Sequence, residues 1–108
     1  MIEYVLSGNF THDLKILEKL NGKTIEIDYI QDSGHGWLKI PKNLSFGLKF
    51  SRYSYEDEKN LYLEEDLDMG KYIQFLKKHN ITVKCNEIIY NGNCYIRNLK
   101  RIQEQYEQ

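Results

Sequence analysis

The chain has a single proline, Pro41, and two cysteines with no Cys-x-x-Cys pair. The scarcity of proline rules out a proline-rich linker or ligand segment. Two isolated cysteines, Cys85 and Cys94, form no zinc-ligand pattern. They flank Asn91-Gly92 closely enough to approach each other, yet in a reducing compartment they read as two free thiols. No run of about 18 apolar residues exists, so no membrane-spanning helix is expected. Met1-Ile2-Glu3-Tyr4 lacks the basic start and apolar core of a signal peptide, and the expected location is the cytoplasm. Charge of one sign is missing too: 15 basic against 16 acidic residues leave a net −1, and no overall electrostatic attraction to nucleic acid.

What is abundant is tyrosine, nine in 108 residues. Tyrosine combines a large apolar area with a polar tip, which suits half-buried sheet faces and interfaces. The length and the 41% apolar content correspond to one small globular domain.

Periodicity predicts the elements. Residues 1–9 read as a short edge strand or an ordered arm. Thr11 is placed to cap a helix with Phe10, Leu14, Leu17 and Leu20 on its apolar side, stopped by Asn21-Gly22. Ile25, Ile27 and Tyr29 alternate with polar residues as a strand. The loop Gln31–Gly36 then returns the chain into Trp37-Leu38-Lys39-Ile40, a hairpin that Pro41 ends ahead of a short helical turn. A second hairpin is expected from Phe50–Tyr55 and Leu61–Glu65. The period then changes from two to 3.6, and Met69, Tyr72, Ile73 and Leu76 mark a helix from Asp68 to His79, with Asn80 as its left-handed stop.

Asn91-Gly92 between Val83–Tyr90 and Cys94–Ile96 predicts a third hairpin. Leu99, Ile102 and Tyr106 suggest a last short helix. The fold class that follows is α+β, antiparallel β-hairpins forming a sheet with two main helices packed on one face. The expected core joins Trp37, Leu38 and Ile40, Leu61 and Leu63, and Met69, Ile73 and Leu76, with the turn Gly34–Gly36 outside it.

Three groups of residues have chemistry worth weighing. Glu64-Glu65-Asp66-Leu67-Asp68 precedes a helix, where acids cap free N–H groups and complement the dipole. The same acids, with the exposed aromatics Tyr53 and Tyr55, can instead form an acidic edge that contacts a basic partner. Their spacing is not that of a calcium loop, so no metal is expected. Asp32, Ser33, His35 and Trp37 surround a glycine-rich turn. No nucleophile elbow or phosphate loop is present, but the turn N–H groups can hold a phosphate and Trp37 can stack on a base, as in a nucleotide-binding protein. Arg97, Lys100 and Arg101 near Tyr95 are the third group, a weak basic patch that can contact nucleic acid. No catalytic set emerges, no cofactor is implied, and a non-enzymatic binding protein is the expectation.

Taken together, Gly34-His35-Gly36-Trp37-Leu38, Tyr53-Ser54-Tyr55 and Tyr62-Leu63-Glu64-Glu65-Asp66, in that order, resemble a family of small uncharacterised proteins of phages and mobile elements. The Ile96-Arg97 segment is similar to that family's closing motif. The likeness covers roughly residues 32–102 and leaves residues 1–22 as an N-terminal addition. It implies a setting rather than a chemistry: an anti-CRISPR-like accessory protein in a bacterial host that binds and inhibits a defence component, a host protein or ribonucleoprotein.

Overall fold

Alternating apolar residues build the centre of a mixed sheet. The computed structural model describes residues 10–102. Helix α1 (Phe10–Leu20) leads to β1 (Thr24–Gln31) and β2 (Gly36–Pro41), and a 3₁₀ turn spans Lys42–Leu44. Then come β3 (Tyr55–Glu56), β4 (Asn60–Glu64), α2 (Asp68–Lys78) and β5 (Thr82–Ile89). A 3₁₀ turn at Tyr95–Asn98 and the short β6 (Lys100–Arg101) follow. The sheet order is β5-β1-β2-β4-β3-β6. The class is α+β, as expected, and every pair but one is antiparallel.

The exception corrects the sequence reading. Strand β5 does not fold back on residues 94–96; it runs parallel to β1 over its whole length, Thr24 opposite Thr82 through Gln31 opposite Ile89. Parallel strands need a crossover, and β4–α2–β5 is one, passing over β2 and β1. Gly92 does take the left-handed conformation, φ +80°, that the Asn-Gly signal demands. The chain beyond it turns away, because Cys94 and Ile96 are buried against the sheet's second face rather than paired at its edge. It reaches the opposite edge as β6, antiparallel to β3. Leu99 thus leads into a strand, not the expected helix; Tyr106 and residues 1–9 lie outside the described residues. Thr11 lies inside α1 rather than at its cap.

Each face has its own core, which follows from the two-residue side-chain period. Leu38, Ile40, Leu61 and Leu63 on one face meet Leu17 of α1 and Tyr72 and Leu76 of α2. Both helices therefore cover the same side. Trp37 points the other way, into a second cluster with Ile30, Tyr62, Cys94 and Ile96. The expectation that Trp37 joins Leu38 in one core is incorrect for this reason: neighbours in a strand face opposite sides. The helix stops were legible. Gly22 (φ +79°) and Asn80 (φ +61°) end the two helices, and the stops are tied together by the Gly22 N–H on the Asn80 carbonyl at 2.8 Å.

Helix α2 presents Tyr72 and Leu76 fully to the core, while Ile73 is only half-buried. Leu76→Ala should cost about 2–5 kcal/mol and Ile73→Ala clearly less, since a cavity opens only where neighbours cannot collapse. Chemical denaturation of both variants tests this; a larger loss for Ile73→Ala would refute the assignment of the buried face.

Candidate binding cleft

The turn after β1 is organised by one carboxylate. Asp32 Oδ1 accepts the N–H groups of Gly34 and His35, both at 3.0 Å. Its Oδ2 accepts the Cys94 N–H at 3.0 Å, and Arg97 donates to both oxygens, at 2.6 and 2.9 Å. The Asp32 side chain is wholly enclosed. The Arg97 guanidinium holds its carboxyl far below the usual carboxylate range against the opposing effect of burial, and the three backbone N–H groups add to the shift. The expected phosphate-binding role of this turn is thereby corrected: its N–H groups already serve Asp32. Ser33 is exposed beside it.

Arg97, fixed in this way, lies over Trp37 with its guanidinium 5.5 Å from the ring centre. Trp37 is 2% exposed, so it cannot stack on a base as the sequence suggested. Tyr55 packs edge-on against Trp37, and Arg101 covers the Tyr55 ring at 5.0 Å. Tyr95, expected beside the basic residues, turns instead toward Tyr62 and Tyr90. Arg97, Lys100 and Arg101 are therefore not one patch around Tyr95.

The acidic run divides by function. Glu64 accepts the N–H groups of Asp66 and Asp68, capping the start of α2 at a distance of four residues. Glu65 accepts the Tyr29 hydroxyl and the Gly36 N–H, at 2.9 and 3.1 Å. Burial first and this bond second push the Tyr29 phenol up to about 12. The tyrosine passes so close to Gly36 that a Cβ there would sit 2.1 Å from its oxygen, which explains the glycine. Asp68 is 2% exposed and accepts the Ser51 N–H and the hydroxyls of Ser51 and Ser54. It ties the loop before β3 to α2 and cannot touch a partner. Asp66 is exposed, and no hydrogen bond or ion pair to its carboxylate occurs among the described residues.

These elements enclose a cleft of about 400 Å³ on the second face of the sheet. Its walls are His35 and Trp37 from the first hairpin, Tyr53 and Tyr55, Glu64, Asp66 and Leu67, and Arg97 with Arg101. The cleft joins members of two sets that looked separate in sequence: Tyr53, Tyr55, Glu64 and Asp66 from the partner-binding set, His35 and Trp37 from the ligand-binding set. Glu65, Asp68, Asp32 and Ser33 do not line it. Leu67 was missed, although a leucine inside an acidic run, here 54% exposed, was a usable signal. No protein-family model matches the chain, and neither the curated proteins nor the solved structures contain a match. Among the described residues no helix is long and apolar enough to cross a membrane, and no cluster of histidine, cysteine or acid side chains could hold a metal.

Because the Asp32 carboxyl is depressed in the folded state, its contribution is complete above the unfolded value of about 4 and is lost as pH falls toward the folded one. Asp32→Asn should cost about 3 kcal/mol at neutral pH, the order expected when hydrogen bonds to a charged acceptor are weakened. The gap between the two proteins should be constant above about pH 5 and narrow as the medium is acidified further. Parallel stability curves from neutral to strongly acidic pH would contradict the role assigned to Asp32.

Proposed function

We infer that this chain is a non-enzymatic binding protein whose recognition site is the cleft on the second sheet face. One observation carries the reading. The segments around His35-Gly36-Trp37, Tyr53-Ser54-Tyr55 and Glu64-Glu65-Asp66, with Arg97, are far apart in sequence and converge on the walls of one cavity. They are also the segments on which the resemblance to small phage and mobile-element proteins rests. Convergence of chemically rich segments on a cleft marks a binding site better than it marks a packing need.

The arrangement favours binding over catalysis. Arg97 and Glu64 are held by structural bonds to Asp32 and to the start of α2. Neither cysteine nor Ser33 lines the cavity to act as a nucleophile. The open groups are the ring of Tyr53, 57% exposed, the side chain of Leu67, His35 and the Asp66 carboxylate. An exposed aromatic beside an exposed aliphatic and an open charge is the composition of a protein-recognition surface. The setting of the resemblance makes the partner a bacterial host component, a defence protein or ribonucleoprotein that the chain occupies and so inhibits.

Tyr53→Ala combined with Asp66→Lys changes only exposed positions and should leave stability within about 1 kcal/mol of the parent. In affinity purification from the bacterial host, a partner retained by the parent protein should be lost with the double variant. Equal retention by both proteins, or none by either, would overturn the cleft as the recognition site.

A further inference from the structure

We propose that the cleft receives a basic side chain of the partner, an arginine in preference to a lysine, with its head between Tyr53 and Asp66 and its stem along Leu67. The proposal rests on the cleft being the recognition site and adds the chemistry of what enters it.

The argument compares the groups already engaged with those still open. Both arginines of the wall are held in place: Arg97 gives two of its donors to Asp32, and Arg101 gives one to the Arg52 carbonyl while covering Tyr55. Both Glu64 oxygens accept backbone N–H groups. The faces of Trp37 and Tyr55 that could attract a cation are taken by the protein's own guanidinium groups. The open groups are the Asp66 carboxylate, the Tyr53 ring, the Leu67 side chain and the exposed His35, and Asp66 is the one carboxylate among them.

Charge points the same way. Asp32 neutralises Arg97, and Glu64 with Asp66 outnumber Arg101, so the lining is negative on balance. A phosphate-bearing ligand would meet that net charge and would find the turn N–H groups closed by Asp32. A guanidinium fits instead. It can pair with a carboxylate through two parallel bonds, lie flat on an aromatic ring and sheds water more readily than an ammonium. Its three-carbon stem suits an exposed leucine.

The probe is the capped tripeptide Gly-Arg-Gly, titrated into isotope-labelled full-length protein and followed by amide chemical shifts. Saturable shifts should cluster at residues 53–55, 64–67 and His35, with a dissociation constant of about 1–10 mM for so small a ligand. Asp66→Asn, a change on an exposed side chain, should weaken binding by about tenfold. Gly-Lys-Gly should bind more weakly, and Gly-Glu-Gly and adenosine monophosphate should leave these residues unmoved. Absence of localised shifts, equal response to Gly-Glu-Gly, or nucleotide binding at these residues would overturn the proposal. If Tyr53→Ala with Asp66→Lys still loses the host partner while Gly-Arg-Gly fails to bind, the cleft stands as the recognition site and the basic side chain does not.

Discussion

The second face of this domain depends on the Asp32 carboxylate. Five donors converge on two oxygens inside a space closed to solvent. A buried charge is costly unless every lone pair is satisfied, so the surroundings must hold their positions for the fold to be worthwhile. They belong to segments about sixty residues apart: the β1–β2 turn and the crossing segment that begins at Cys94. One acid thus fixes where the C-terminal stretch crosses the sheet. Arg97 then covers Trp37, and β6 is delivered to the edge beside β3. The cleft is the space left between these fixed parts.

Two further carboxylates do comparable work nearby. Glu65 links β4 to Tyr29 and Gly36, and Asp68 anchors the loop of Ser51 and Ser54 to the first turn of α2. An acidic run that looks like one surface feature in sequence is therefore mostly internal wiring. Within this run only Asp66 is exposed with no bond to its carboxylate among the described residues. The division follows from geometry. Where the run leaves β4 and enters α2, Glu64 turns to the start of the helix, Glu65 to the first hairpin, Asp66 to solvent and Asp68 to the serine loop before β3.

The rest of the architecture is divided between the faces. The helix-covered face is an ordinary apolar core of leucines, isoleucines and three aromatics, Phe46, Phe50 and Tyr72. The other face has a smaller cluster roofed by a single crossing segment, and its polar groups are satisfied one by one. A sparse roof leaves room for the cleft.

Local pattern alone determined much of this protein. The two-residue period placed β1, β2 and β4, the 3.6 period placed α2, and Gly22 and Asn80 were readable as stops because few other residues adopt their backbone angles. The first hairpin and the α+β class followed from short-range turn chemistry; the second hairpin was placed too early, since residues 50–54 are loop, held by Asp68, and only Tyr55–Glu56 pairs with β4. The parallel pairing of β5 with β1 did not follow, because nothing in Val83–Tyr90 distinguishes a parallel neighbour 58 residues away from an antiparallel one across an Asn-Gly turn. Asp32 had been singled out, but as part of a site. Its role as a buried acceptor became visible only with Arg97 and Cys94 beside it, since satisfaction of a charge depends on partners brought by tertiary folding. His35, Tyr53, Tyr55, Glu64 and Asp66 were each legible as candidates from their chemistry. That they share one cleft, and that Trp37 lies beneath an arginine, was decided by which face of the sheet each occupies and by the chain that crosses it.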